Sequence, residues 1–314
     1  ATMKTAFNRR TVILAAALGA GTTLLQACGG GDDEPQRNIV ELAKNTPELS
    51  ILVEAVVAAD LAATLSTGTL TVFAPTNAAF AALLTELGVS KEALLANKPL
   101  LTAVLTYHVL GSTVARADVP LGKAITPVSG GFFKIESNNG LKITDGRNRV
   151  STITATDIQA SNGVVHLVDR VLLPADKDIV ATASALPDFS ILVEAVVAAG
   201  LASTLQGTGP FTVFAPTNAA FAALLTELGV SKAALLADTV LLTKVLTYHV
   251  VPARVLKAEV PINTAITTVQ GQSFTVNSSL VITDQNMRTS GIVATDVFTS
   301  NGVIHAVDEV ILPK

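Results

Sequence analysis

TVFAPTNAAFAALLTELGVSK occupies residues 71–91 and occurs again, without a single change, at residues 212–232. Its first residues have the composition of a short strand that Pro75 ends, and Thr76 or Asn77 is placed to cap a following helix. Four apolar residues at helical spacing then precede a closing glycine: Phe80, Leu83, Leu84, Leu87 and Gly88. The repeated stretch is therefore predicted to pack as strand, turn and helix, and it contains no Cys or His that would suggest chemistry.

The duplication extends well beyond this stretch. Further blocks occur twice in the same order: residues 50–59 and 190–199, residues 105–109 and 246–250, and residues 162–166 and 301–305. Units of about 140 residues have the usual size of a domain, so the chain is a tandem of two domains. We predict domain 1 over residues 38–175 and domain 2 over residues 176–314.

Each unit is helical in its first half and rich in strands in its second half. In domain 1 the later segments are separated by strong hairpin signals, namely Asn139-Gly140, Asp145-Gly146 and Asn162-Gly163. We expect an α+β fold in which an antiparallel sheet has helices packed at one side or end.

The N-terminal 27 residues have the layout of a secretory leader. A basic segment with Lys4, Arg9 and Arg10 precedes an uncharged apolar stretch over residues 11–25, which is too short to span a bilayer. The stretch ends at Cys28, the one cysteine of the sequence, in a context that resembles the lipobox of bacterial lipoproteins. We predict a lipid anchor at Cys28 and localisation at the bacterial envelope; the alternative is a free thiol beside an ordinary cleavage site.

Residues 28–37 are rich in Gly and acidic residues and are predicted to be a flexible tether. The formal net charge of the chain is −4, and no run of Lys and Arg with interleaved aromatic residues is present. Because binding to a phosphate backbone needs a basic patch, we predict no nucleic-acid partner.

The four histidines occupy matched positions in the two units. His108 and His249 each continue the apolar stripe of a helix, which favours a core or interface role over that of a base or ligand. No second metal ligand lies at the i+4 position, so no metal site is predicted.

The other two histidines, His166 and His305, each precede an Asp by three residues. On a strand this odd spacing sends the two side chains to opposite faces, so the pair cannot form a relay. No nucleophile elbow or phosphate loop is present either, and we predict no catalytic residue and no cofactor.

Three ordered blocks, each present twice, resemble the fasciclin domain family. They are the stretch at residues 71–80, the pair Tyr107-His108 and the closing block at residues 162–174, with their counterparts at residues 212–221, Tyr248-His249 and residues 301–313. The resemblance implies two tandem fasciclin-like domains, each a β-sandwich or wedge with a packed group of helices.

Fasciclin domains are regarded as adhesion and interaction modules rather than enzymes, which implies a cell-surface or matrix protein or polysaccharide as partner. In animal members the Tyr-His pair and short Asp-Ile motifs are associated with integrin binding. By this resemblance Tyr107, His108, Tyr248, His249, Asp178 and Ile179 are candidate partner-binding residues. Core packing explains the Tyr-His pairs equally well.

Two other functions stay open at this point. A chain with a mean hydropathy of +0.53 could contain an apolar pocket for a small ligand or lipid. A hydrolase is the less favoured alternative, because it needs polar groups from distant parts of the chain to converge on one cleft.

Overall fold

The computed structural model describes residues 36–314. Within this range, domain 1 has its helices in the first half and most of its strands in the second half. The helices are α1 (Ile39–Lys44), α2 (Ser50–Ala58), α3 (Ala62–Leu65), α4 (Asn77–Leu87), α5 (Lys91–Ala96) and α6 (Lys98–Tyr107). The strands are β1 (Leu70–Pro75), β2 (Val109–Leu110), β3 (Ala124–Ile125), β4 (Phe133–Ser137), β5 (Leu141–Thr144), β6 (Val150–Ala160) and β7 (Gly163–Val168).

Domain 2 repeats this order element by element. Its helices are α7 (Ile179–Ser184), α8 (Ser190–Ala198), α9 (Ala202–Leu205), α10 (Asn218–Leu228), α11 (Lys232–Ala237) and α12 (Thr239–Tyr248). Its strands are β8 (Phe211–Pro216), β9 (Val250–Val251), β10 (Ile266–Thr267), β11 (Ser273–Val276), β12 (Val281–Thr283), β13 (Thr289–Thr299) and β14 (Gly302–Val307).

The stretch that occurs twice forms the predicted strand and helix in both domains. Thr76 caps α4 by accepting a hydrogen bond from the backbone N–H of Ala79, and Gly88 ends the helix in the left-handed conformation at φ 64°. Phe80 and Leu83 are buried, whereas Leu87 at the far end of the stripe is exposed. Each fully buried apolar side chain of this kind contributes roughly 1.5–3 kcal/mol to stability.

The strands of the second half of domain 1, β3 to β7, pair antiparallel as predicted, but the whole sheet is mixed because β1 joins it in parallel. Among the described residues the strand order of domain 1 is β2-β1-β7-β6-β5-β4-β3. Domain 2 has the equivalent order, β9-β8-β14-β13-β12-β11-β10. The pairing of β1 with β7 is parallel, and so is that of β8 with β14. Hairpin signals report only on strands that are neighbours in sequence, whereas β1 and β7 are separated by helices and hairpins that return the chain in the same direction.

A glycine permits the close approach of β1 and β7. A Cβ atom on Gly163 would lie 1.9 Å from the carbonyl oxygen of Leu70, and one on Gly302 would lie 2.0 Å from that of Phe211. Asn162 and its counterpart Asn301 link this pairing to the helices. The side chain of each accepts a hydrogen bond from the backbone N–H of the first residue of the first helix in its domain. The Asn-Gly pair therefore serves the parallel pairing as well as the hairpin.

Each domain has two apolar cores, one on either face of the parallel pair. In domain 1 the first core lies between the helices and the sheet and includes Leu52, Val72, Phe80, Leu105 and Val165. The second core includes Phe73, Phe133, Ile135, Ile143 and Val168. It exists because β6 bends at two register shifts and brings β4 and β5 over β1 and β7. The predicted fold class, two tandem α+β domains, is confirmed.

None of the helices within residues 36–314 combines the length and the apolar character that crossing a bilayer requires. Cys28 and the predicted leader lie outside the described residues, as does nearly all of the predicted tether. The anchor at Cys28 and the domain boundaries at residues 175 and 176 stay predictions.

Candidate functional site

The tyrosines of the Tyr-His pairs are buried and hydrogen-bonded inside their own domains. The Tyr107 hydroxyl donates to the carbonyl oxygen of Phe132 at 2.6 Å, and the Tyr248 hydroxyl donates to that of Ser273 at 3.0 Å. Each ring meets a phenylalanine of the second core edge-on, with ring centroids 5.7 and 6.0 Å apart. Burial raises the pKa of Tyr107 above its ordinary range and raises the pKa of Tyr248 to about 12.

His108 joins the end of α6 to the closing segment of domain 1. Its Nδ1 lies 2.7 Å from the carbonyl oxygen of Val104, and its Nε2 accepts a hydrogen bond from the N–H of Leu172 at 2.9 Å. This pair of contacts requires the neutral tautomer with the proton on Nδ1. His249 makes the same two contacts in domain 2, at 2.8 and 3.1 Å. Burial lowers the pKa of both His108 and His249 to about 4.

The other two histidines hold the bulged region of the long strand. His166 Nδ1 accepts from the N–H of Asp157 at 3.2 Å, and Nε2 donates to the carbonyl oxygen of Val114 at 2.9 Å. His305 repeats these contacts with the N–H of Asp296 and the carbonyl oxygen of Val255. Burial lowers the pKa of His305. Both ring nitrogens of each residue are therefore engaged by the backbone.

The Asp residues that follow these histidines face elsewhere. Asp169 accepts hydrogen bonds from the N–H of Thr152 at 2.6 Å and from the Ser151 hydroxyl at 3.1 Å. Asp308 makes the matching contacts in domain 2. Across residues 36–314 no three His, Cys, Asp or Glu residues are grouped in a way that could hold a metal ion.

The Asp178-Ile179 pair begins α7. Asp178 is the N-cap and accepts from the N–H of Ala181 at 2.7 Å, while the Ile179 side chain is 3% exposed. Asn38 and Ile39 occupy the same places at the start of domain 1. Five of the six candidate binding residues are thus buried inside the two domains and Asp178 is a helix cap; their partner-binding role stays a prediction.

A different set of residues connects the two domains, and we call it the joint. It consists of Phe132, Lys134 and Asn148 from domain 1 and Arg254, Asp296 and Phe298 from domain 2. At its centre Lys134 Nζ lies 2.7 Å from Asp296 Oδ2 and 3.0 Å from Glu136 Oε1. The other oxygen of Asp296 accepts from the N–H of Lys257 at 2.7 Å. Burial acts to lower the pKa of Lys134, but the bonds and charges of Asp296 and Glu136 outweigh it, so the pKa is raised.

Asn148 adds a second polar contact to the joint. Its side chain donates to the carbonyl oxygen of Phe298 at 3.0 Å and accepts from the N–H of the same residue at 2.6 Å. The Phe298 ring in turn packs on Phe132, with centroids 4.7 Å apart, and the guanidinium of Arg254 lies 4.5 Å from the centre of the Phe132 ring. The joint therefore combines a buried ion pair, two hydrogen bonds and an aromatic contact.

The two repeats differ at the joint although they agree in their internal networks. On the domain 1 face, Phe132, Lys134 and Asn148 stand where domain 2 has Ser273, Thr275 and Met287. On the domain 2 face, Phe298 stands where domain 1 has Gln159. The contact is head-to-tail and joins two different faces. Asp296 has an identical counterpart in Asp157, whereas the other five residues of the joint are present in only one of the two domains. This difference within an otherwise close repeat is the signal that sequence reasoning missed.

A cleft of about 760 Å³ opens beside the joint. Its charged lining consists of Lys134, Arg147, Arg149, Lys177, Asp176 and Asp296. Four of these side chains are cationic and two are carboxylates, in a chain whose overall charge is negative. The cleft is the candidate functional site, because it draws on both domains and offers polar groups to a partner.

These features define a class: a tandem of two α+β domains with internally satisfied histidines, a shared joint and a polar cleft. The sequence model of the fasciclin domain matches residues 47–174 and again residues 187–313. The chain belongs to the fasciclin domain family.

Relatives occur in animals and bacteria. Transforming growth factor-beta-induced protein ig-h3 of Sus scrofa is 29% identical over 255 residues, which cover 78% of this chain and 35% of that protein. Protein sll1483 of Synechocystis is 43% identical over 148 residues, which cover 47% of this chain and 79% of that protein. The chain thus spans about a third of the length of ig-h3. A solved FAS1 domain pair from the insect cell adhesion molecule fasciclin I superposes with a TM-score of 0.42 at 18% identity, covering 84% of this chain and 97% of that one.

Proposed function

We propose that this chain is a non-enzymatic adhesion or interaction module of the bacterial envelope, held by a lipid at Cys28. Its partner is a cell-surface or matrix molecule, protein or polysaccharide. Fasciclin domains are generally modules of cell adhesion and interaction, which supports the proposal at the level of the family.

The proposal is supported by the contacts that the polar side chains make. The histidines and the Asp residues that follow them are all engaged in holding backbone segments together. In the cleft beside the joint, in contrast, charged side chains and threonine hydroxyls line a space that is open to solvent. Such an arrangement favours recognition of a partner over a reaction.

A gene deletion tests the proposal. We expect the deletion to reduce surface attachment and aggregation of the cells, and the full chain to restore both. The Cys28→Ser chain, which cannot be lipidated, should restore neither although it is produced. Attachment and aggregation that remain at the wild-type level after deletion would contradict the proposal.

Two alternatives find less support. Matched apolar cavities lie in the two domains, under α7 and α8 in one and under α1 and α2 in the other, and have volumes of about 50 and 30 Å³. These cavities are several times smaller than ligand pockets, which measure roughly 300–1,000 Å³. For a hydrolase, Ser151 and Asp169 do meet at 3.1 Å, but His166 points to Val114 instead.

A further inference from the structure

We propose that the cleft beside the joint binds a carboxylate-bearing oligosaccharide, such as a uronate segment of an acidic polysaccharide. This inference rests on the proposed function, since it names the chemical class of the partner and the place where it binds. The evidence for it is which polar groups line the cleft and which of them already have partners within the chain.

The carboxylates of the cleft are occupied. Asp296 has one oxygen on Lys134 Nζ and the other on the N–H of Lys257. Asp176 lies 3.2 Å from the guanidinium of Arg147. Both oxygens of Asp296 are therefore in use, and the charge of Asp176 is balanced by Arg147.

Two cationic side chains of the cleft have donors to spare. Within residues 36–314 the ammonium of Lys177 has no hydrogen-bond or ion-pair partner, and the residue is exposed. The Nε of Arg147 is buried without a hydrogen-bond partner, although its side chain is 33% exposed. The guanidinium has Asp176 on one nitrogen, and a ligand carboxylate would be a second acceptor for its remaining N–H groups. The unused hydrogen-bonding capacity is thus cationic, and it matches an anionic ligand.

The remaining two cations are fixed in place. Arg149 donates to Asp145, to Glu86 and to the carbonyl oxygen of Val171, and its side chain is 12% exposed. Lys134 is held by the ion pair of the joint. These groups shape the wall of the cleft, while Lys177 and Arg147 are left to bind.

Neutral hydroxyl groups favour a sugar over a simple anion. Thr144, Thr182 and Thr295 line the cleft, are half-buried, and make no side-chain hydrogen bond to another described residue. Hydroxyls that both donate and accept suit the ring hydroxyls of a sugar. The volume of about 760 Å³ falls in the range of small-molecule sites.

Titration calorimetry with the full-length Cys28→Ser chain tests the inference. The probe is oligogalacturonate, and the comparison ligands are the same oligomer after reduction of its carboxyl groups and an oligoglutamate of equal charge. We expect one binding site for oligogalacturonate, weakened by added salt, and at least tenfold weaker binding of both comparison ligands.

Variants locate the site. Lys177→Gln and Arg147→Gln should each weaken binding about tenfold, the effect of losing one charge-assisted hydrogen bond. Lys244→Gln is the matched control, since it removes an exposed lysine of α12 outside the cleft and should leave binding unchanged. Thermal melting of each variant shows whether the fold is kept.

Absence of binding, equal binding of the reduced oligomer, or equal loss in the Lys244→Gln control would overturn the inference. Tighter binding of oligoglutamate would assign the cleft to an acidic protein segment instead. In cells, a deletion phenotype that Lys177→Gln rescues fully would refute the cleft while the proposed function stands. A deletion without phenotype would refute the proposed function, and calorimetry would still report on the cleft.

Discussion

Lys134 and Asp296 belong to different domains and form a buried ion pair, with Nζ 2.7 Å from Oδ2 and side chains that are 10% and 2% exposed. The pair is surrounded by hydrogen-bond partners, since Asp296 also accepts from a backbone N–H and Lys134 also reaches Glu136. Breaking such a pair is costly because the remaining charge stays buried. Two domains that share it are expected to behave as one unit.

Replacing Lys134 with Met should therefore destabilise the chain strongly. The Asp296 carboxylate would keep only its bond from Lys257, and we expect a loss of about 3–5 kcal/mol in the free energy of unfolding. Urea denaturation followed by circular dichroism measures this loss. Thr275→Met, at the same place in domain 2 but outside the joint, is the matched control and should change stability by about 0.5 kcal/mol or less.

The double variant Lys134→Met/Asp296→Asn separates charge from packing. The amide of Asn can still accept from Lys257 and carries no charge, so most of the lost stability should return. A Lys134→Met chain that is as stable as the wild type would contradict a buried interdomain ion pair.

Asn148 and Met287 occupy the same turn position in the two repeats, at φ 61° and 63°. Asn148→Gly should cost about 2 kcal/mol, because it removes two hydrogen bonds to Phe298 while the backbone conformation remains favourable. Met287→Gly should instead stabilise the chain by up to about 1 kcal/mol, since it only removes the strain of a non-glycine residue in the left-handed conformation. Equal effects of the two changes in thermal melting would show that Asn148 does not join the domains.

Acidification should weaken the fold between about pH 6.5 and pH 4. His108 and His249 have a pKa of about 4 in the folded chain, below the ordinary value of 6.5 for an unfolded one. In this window the unfolded state binds protons that the folded state does not, so the free energy of unfolding decreases as the pH is lowered. The integrated loss is about 3 kcal/mol for each histidine. Denaturation at a series of pH values measures it.

His108→Gln provides the control for this pH dependence. The variant is less stable at pH 7 by about 1–3 kcal/mol, because the contacts to Val104 and Leu172 are disturbed. It also loses one titrating group, so its slope against pH should be shallower than that of the wild type. An unchanged slope would mean that the histidine does not titrate as its burial implies.

Cys28→Ser tests the anchor directly. We expect the wild-type chain in the membrane fraction of the envelope and the variant in the soluble periplasmic fraction, because the thioether bond to lipid cannot form on Ser. Detergent partitioning and fractionation with blotting measure the distribution. A variant that still sediments with membranes would refute the lipid anchor.

Much of the fold could be predicted from local patterns. One helix is specified by residues close together in sequence, namely Thr76, Phe80, Leu83 and Gly88. An Asn-Gly pair likewise acts within a single hairpin. A short window of sequence is therefore enough to predict such elements. The parallel pairing of β1 with β7 depends on contacts between distant segments, and no short window encodes it. Leu87 continues the same apolar stripe and is 36% exposed, so the stripe alone does not tell how far the core extends along the helix.

The candidate site was harder to predict for the same reason. The Tyr-His pairs are conspicuous in the sequence, yet the structure places them in the cores. The joint is assembled from single residues on separate turns and strands, such as Asn148 and Phe298. Comparing the repeats position by position would have revealed it, because Phe132 and Lys134 lack counterparts in domain 2.

If the two domains act together as one interaction unit, opening the joint should abolish attachment, and a triple variant opens it. Phe132→Ser, Lys134→Thr and Phe298→Gln give each face of the joint the residues that the other repeat already has, so both domains should still fold. Surface attachment of cells that carry this variant in place of the wild-type chain is the measurement. Attachment should fall to the level of the deletion strain while the chain remains present and folded. Attachment equal to that of the wild type would show that the joint is not needed for adhesion.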